Sequence, residues 1–150
     1  MDATIAEMIK SISIMYDKQF TKQVLANNVL PQVTSTQMSV LQYMDKHDDE
    51  IITQKKLQDA FNLSKSTVSG IVQRLRQHKF IDMVPMPNDK RSNRIIFNPE
   101  FRSQMTNHDD YFKAQLDVME QRLVWGMTSD EIDRYKYFLK RTLKNLNDHN

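Results

Sequence analysis

The chain has no cysteine and only two glycines, Gly70 and Gly126, in 150 residues. Without cysteine, disulfides, zinc–thiolate sites and thiol redox switches are excluded, in keeping with a reducing cytoplasm. The shortage of glycine excludes another group of functions. P-loops and dinucleotide-binding turns need several glycines at fixed offsets, because backbone must approach phosphate closely. Neither G-x-G-x-x-G nor G-x-x-x-x-G-K-[ST] occurs. Nowhere do 18 apolar residues run together, so no membrane-spanning segment is expected. The opening MDATIAEMIK lacks a basic start followed by an apolar core, so no secretory leader is expected either. There is no nucleophile elbow and no H-E-x-x-H, and the 19 carboxylates are dispersed through polar faces. The expectation is a protein without catalytic residues, cofactor or metal.

What is present has the balance of a soluble globular protein, 39% hydrophobic and 27% charged. The length suits a single domain, 1–150, that buries roughly two-thirds of the surface its unfolded chain exposes. Net charge is only +2, but it is unevenly distributed. Between Gln54 and Arg94, nine Lys/Arg stand against three acids, Asp59, Asp82 and Asp89, giving +6 there and −4 elsewhere. A basic middle in an acidic frame is the electrostatic footprint of a polyanion-binding face.

Few glycines and four prolines point to long helices with short connections. Residues 3–28 read as one helix with Ile5, Met8, Ile9, Ile12, Met15, Tyr16, Val24 and Leu25 on its apolar stripe, closed by Pro31. A second begins at Thr34 or Ser35, turns Met38, Leu41 and Met44 inward, and ends at the acidic turn HDDE. EIIT is a candidate short strand, with Thr53 as N-cap of a third helix, 54–61, that turns Leu57, Ala60 and Phe61 inward. After the turn NLS, Ser64 caps a fourth helix running to about Gln77. The pair is a helix-turn-helix, whose second helix enters a DNA groove.

The apolar period then shortens to two. FIDMVPM (80–86) and NRIIFN (93–98) read as strands around the polar loop PNDKRS, a β-hairpin wing. Asn98-Pro99 restarts a helix, to about Trp125, with Phe112, Leu116, Met119 and Leu123 on one stripe. Thr128 and Glu131 form a capping box for the last helix, with Ile132, Tyr135, Leu139, Leu143 and Leu146 inward. The expected fold is mainly α with a small β wing: a winged helix-turn-helix over 31–98, flanked by helical parts 1–30 and 99–150. These flanks carry more apolar stripe than one winged-helix core needs. Burial against a second copy, through Ile9, Ile12, Leu116, Ile132, Tyr135, Leu139 and Leu143, is the simplest closure, and folding back as a monomeric bundle is the other.

Within the fourth helix, Val68, Ile71, Val72 and Leu75 anchor one face, while Ser66, Ser69, Gly70, Gln73, Arg74 and Gln77 face outward without an acid among them. Such a face suits the DNA major groove. Ser66 and Ser69 tolerate several bases, Gln73 can grip adenine, and Arg74 can read guanine or bind phosphate. Gly70 would let the backbone approach the groove floor, and Lys65 and Ser64 lie at the positive helix end, where phosphate binds. On the hairpin tip, Arg91 can enter a narrow minor groove, with Lys90 and Arg94 on phosphate. His108, Asp109 and Asp110 make a compact polar cluster, but their helical neighbours Tyr111 and Phe112 are poor metal ligands, so a solvated face is expected. The ten methionines can line a promiscuous pocket but more often fill a helical core.

VTSTQMSVLQYM, LSKSTVSGIVQRL, PNDKRSNRIIFNPE and MTSDEIDRYKYFLKRTLKNL, in this order and spacing, resemble the MarR (multiple antibiotic resistance regulator) family of transcription regulators over nearly the whole chain. The resemblance implies an obligate homodimer on double-stranded DNA, bound to a pseudo-palindromic operator, usually as a repressor. It also implies a cleft for a small amphipathic or aromatic effector, and a D-x-R wing in which Asp89 pairs with or orients Arg91. Lys79 and Phe101 stand where the family usually has glycine, so at Lys79 either a side chain takes the terminating conformation or the helix ends differently. Gly70 stands where many relatives carry a larger residue. A winged helix kept for protein–protein assembly, and a regulator without a ligand, are the alternatives.

Overall fold

A computed structural model describes residues 2–24 and 33–148, and their side chains other than those of Val24 and 106–112. The expected roles of Leu25 and Pro31, and of the Val24, His108, Asp109, Asp110 and Phe112 side chains, lie outside this description. Among the described residues the order is α1 (Ile5–Val24), α2 (Ser35–Lys46), α3 (Gln54–Phe61), α4 (Lys65–Gln77), β1 (Ile81–Pro85), β2 (Asn93–Phe97), α5 (Pro99–Leu123) and α6 (Ser129–Asn147). This is the mainly-α winged helix that the sequence patterning predicts. None of these helices is long and apolar enough to cross a membrane.

Local capping chemistry sets the helix starts. The hydroxyl of Thr53 accepts the N–H of Lys56 at 3.1 Å, and the hydroxyl of Ser64 accepts that of Thr67 at 3.2 Å. Thr34 with Gln37, and Thr128 with Glu131, close full capping boxes. Asn98 accepts the N–H groups of Glu100 and Phe101 ahead of α5, with Pro99 in the first turn. Thr4 and Glu7 do the same for α1, and the Thr4 N–H and hydroxyl on the Glu7 carboxylate hold its pKa below the usual value.

The core lies between the helix-turn-helix and the wing. Leu57 of α3, Val68, Val72 and Leu75 of α4, and Ile81 and Ile95 of the hairpin pack with Met38, Leu41 and Met44 of α2. Phe20 of α1 and Met119 of α5 close it from above. The strands pair antiparallel from Ile81↔Phe97 to Pro85↔Asn93. EIIT contributes a single bridge, in which the Ile95 N–H donates to the Ile52 carbonyl at 2.8 Å. Ala60, expected inward, is exposed. In a two-turn helix the i, i+4 pair Leu57 and Phe61 already spans the face that reaches the core.

The outer helices differ more from expectation. Tyr16 and Phe20 reach the core, but Ile5, Met8, Ile9, Ile12 and Met15 are exposed, and α6 buries no residue at all. Ile132 and Tyr135 are half-buried, while Leu139, Leu143 and Leu146, expected inward, are exposed. The helical period is as expected, but the described residues supply nothing to cover the stripe. Gln23 Nε2 donates to Gln115 Oε1 at 2.6 Å and Arg122 Nη1 to Gln19 Oε1 at 3.3 Å, so α1 lies on α5 through its second half.

The end of α4 resolves the question raised by Lys79. His78 is the C-cap, Lys79 takes the left-handed conformation at φ 60°, the Phe80 N–H donates to the Leu75 carbonyl at 3.0 Å, and the Lys79 N–H donates to that of Arg76 at 2.9 Å. This is a Schellman ending with lysine in the position that glycine usually fills. A side chain is strained there, whereas glycine adds entropy to the unfolded chain. Lys79→Gly is therefore expected to stabilise the fold by about 0.5–1 kcal/mol. The gain would be read as a higher urea midpoint at unchanged slope; an unchanged or lower midpoint would contradict the strain.

Candidate nucleic-acid interface

The Ser64 cap and the buried row Val68, Val72 and Leu75 fix how α4 is rolled. That roll leaves Lys65, Ser66, Ser69, Gly70, Gln73, Arg74 and Gln77 exposed along one side. A Cβ on Gly70 would meet nothing within 4 Å, so packing does not require glycine there. Ser64 Oγ lies 2.8 Å from Thr67 Oγ1 and donates to it, and also accepts the Thr67 N–H. Its hydroxyl is thus committed to the cap, and an anion at this end would be met by first-turn N–H groups and Lys65.

The wing tip is organised by Asp89. Its carboxylate accepts the backbone N–H of Arg91 at 3.0 Å and the Ser92 hydroxyl at 3.4 Å, and its carbonyl accepts the Ser92 N–H at 3.2 Å. No ion pair joins Asp89 to the Arg91 guanidinium. Of the two roles that the resemblance implied, the geometry is that of orientation: Asp89 shapes the turn and leaves the Arg91 side chain exposed beside Lys90. Arg94, on β2 opposite Val84, is half-buried, and its Nε is enclosed with no hydrogen-bond partner. At the base of the wing, the Met83 thioether accepts from Gln54 Nε2 at 3.9 Å and Arg76 Nη1 at 3.7 Å, tying α3, α4 and β1 together.

Between α2, β2 and α5 opens a cleft of about 520 Å³. Leu41, Met105 and Leu116 give it apolar walls, and Asp45, Arg102 and Lys113 stand around them. Arg102 Nη1 is ion-paired with Asp45 at 2.5 Å, and its guanidinium lies 4.8 Å from the Phe97 ring centroid. Met105 lines the cleft, Met44 and Met119 lie in the core, and Met38 belongs to both. Leu116 is half-buried against the chain's own core, while Ile9, Ile12, Leu139 and Leu143 are exposed. Among the described residues no three metal-ligating side chains come together. Sequence reasoning missed the enclosed Nε of Arg94, the Arg102–Asp45 pair across the cleft, and the role of Phe101. Only Phe101 left a signal, an aromatic three residues after the Asn98 cap.

Residues 32–92 match the model of the MarR family. No curated protein matches the chain. Among solved structures, the MepR–DNA complex of S. aureus is 22% identical, with a TM-score of 0.78 over 95% of this chain and 96% of that one. A mutant MarR from E. coli complexed with operator DNA is 20% identical, with a TM-score of 0.74 over 93% of each chain. BpsR of Bordetella bronchiseptica, solved to explain regulation of its DNA binding by 6-hydroxynicotinic acid, is 16% identical, with a TM-score of 0.74 over 93% of this chain and 92% of that one. The chain thus matches the MarR family model from α2 through the helix-turn-helix and the first wing strand, and it shares the winged-helix fold of these solved structures along nearly its whole length.

Proposed function

We propose that this protein is a sequence-specific, double-stranded DNA-binding transcriptional regulator, not an enzyme, that works in the cytoplasm as a homodimeric repressor on a pseudo-palindromic operator. One observation carries the reading: an acid-free, outward face of α4 beside a wing tip whose carboxylate is spent on backbone, leaving Arg91 and Lys90 to solvent. In this reading residues 31–98 touch DNA, Lys65, Ser66, Ser69, Gly70, Gln73 and Arg74 in the major groove and Arg91 in the minor groove, with Ser64, Asp89, Lys90 and Arg94 supporting wing and phosphate contacts. The flanks 1–30 and 99–150 form the dimer. Neutralising six to ten phosphates makes affinity fall by about 10³–10⁵ between 50 and 200 mM salt.

The cleft suits a small amphipathic or aromatic effector, with apolar walls for its body and Asp45, Lys46, Arg102, Lys113 and Asp117 around its polar end. Such a ligand releases DNA only if it prefers a spacing of the two recognition helices other than the operator's. The test of the whole reading is selection of bound fragments from a random duplex pool, wild type beside Arg91→Ala. The expected result is an inverted repeat whose affinity drops about 5- to 150-fold in the variant, the loss of about 1–3 kcal/mol that a groove-reading arginine represents. A folded dimer that enriches nothing at low salt would move the reading to an assembly module.

A further inference from the structure

The C-terminal helix carries a second concentration of positive charge, separate from the helix-turn-helix. Residues 134–147 hold five cations, Arg134, Lys136, Lys140, Arg141 and Lys144, and no acid. Lys136, Lys140 and Lys144 succeed one another at i, i+4, i+8, so they form one row along α6, and Asn147 stands three residues beyond the last. All three lysines are exposed, and none is ion-paired with a carboxylate among the described residues. Like charges at i, i+4 weaken a helix. Attraction to the negative helix end accounts for Lys144 in the last turn, but not for Lys136 and Lys140.

The row ends beside the helix-turn-helix. Asn62 Nδ2 donates to Asn147 Oδ1 at 2.6 Å. Asn62 is the left-handed C-cap of α3, two residues before the Ser64 cap of α4, at the end of α4 that meets DNA in a helix-turn-helix. At a rise of about 1.5 Å per residue, Lys144 stands about 4.5 Å, Lys140 about 10 Å and Lys136 about 16 Å along the axis from Asn147.

We propose that α6 carries a second phosphate-binding track, in which Lys144 and Lys140 contact backbone phosphates of the operator flanking the recognition helix. This rests on the reading of α4 and the wing as a DNA interface and extends the footprint beyond them. The occupant is duplex DNA, because the row is purely cationic, unpaired, and continuous at Asn62 with that interface. Lys136 lies too far along the helix to share the contact.

The test is fluorescence anisotropy on the selected operator between 50 and 300 mM KCl, with wild type, Lys144→Ala, Lys140→Ala, Lys136→Ala and, as a wing control, Arg91→Ala. Alanine keeps an exposed helix intact, and circular dichroism checks this. Lys144→Ala and Lys140→Ala should each weaken binding about three- to tenfold on any sequence and lower the slope of log affinity against log salt by about 1.8, or 0.9 per phosphate in each of two protomers. Lys136→Ala should match wild type, and Lys144→Arg should keep the slope. Unchanged slopes for both alanine variants, with Arg91→Ala weakened, would overturn the track and leave the operator reading standing. So would a loss of binding that follows a raised dimer dissociation constant in sedimentation, which would make the row a contact between copies. A wild type that binds no DNA would overturn both.

Discussion

Leu139→Glu combined with Leu143→Glu is expected to leave the protein monomeric at micromolar concentration and to cost about 10²–10⁴ in operator affinity, while the winged helix stays folded. The expectation starts from unmet burial. Leu139 and Leu143 lie one turn apart on an α6 that buries nothing, and Leu143 is 61% exposed. Across a turn of chain, Trp125 is 86% exposed, and on α1 Ile5, Ile9 and Ile12 are open to water as well. Burying one leucine is worth about 1.5–3 kcal/mol, and a two-fold axis counts each position twice. A carboxylate in such a seam must stay charged without a partner or take up a proton, and either is costly. Neither leucine touches the core around Leu75 and Ile81, so a monomer should keep its helical circular dichroism. On the proposed pseudo-palindromic operator a monomer would hold only one half-site, hence the lost affinity. Sedimentation velocity gives the assembly state and anisotropy the affinity. A variant that remains a dimer with wild-type affinity would mean that α6 is covered by something other than a second copy.

This contrast also shows what is legible in the sequence. Thr53, Ser64, Asn98 and Thr128, and Thr34 as one of two candidates with Ser35, were readable as N-caps because a cap is a local event, settled within three residues of chain. The outward side of α4 was readable because its apolar row specifies the roll of the helix. Periodicity identifies a face, however, and does not say what covers it. The same pattern put Leu75 in the core and Leu139 into solvent, since the difference lies in residues distant in sequence or on another molecule. The Arg102–Asp45 and Asn62–Asn147 contacts, 57 and 85 residues apart, left no local trace. The lysine row on α6 is present in the sequence, but it lies within flanks whose net charge is negative.

Phe101 gives the largest expected effect on stability. Where the family usually has glycine, this chain has a ring only 5% exposed, its centroid 4.4 Å from that of Phe80 and 6.2 Å from that of Phe97. Phe80 closes the Schellman ending of α4, Phe97 ends the second wing strand, and Phe101 lies in the first turn of α5. The ring therefore joins the end of α4, the wing and the helix leading to the outer layer. Phe101→Ala removes these contacts and leaves a cavity, for about 3–5 kcal/mol, out of a total stability of about 5–15 kcal/mol. At this chain length that corresponds to a thermal midpoint lower by about 6–20 °C. Phe101→Leu keeps most of the volume and should lose less than about 1.5 kcal/mol. A loss under 1 kcal/mol for alanine would mean that the neighbouring rings close the gap and that Phe101 is not what joins the three elements. The pairing with Arg91→Ala separates scaffold from contact. Well below its midpoint, Phe101→Ala should bind the operator nearly as wild type does. Arg91→Ala, exposed at the wing tip, should melt within about 0.5 kcal/mol of wild type and yet bind poorly. If Phe101→Ala also lost binding while fully folded, the ring would be setting the angle between wing and recognition helix as well as their stability.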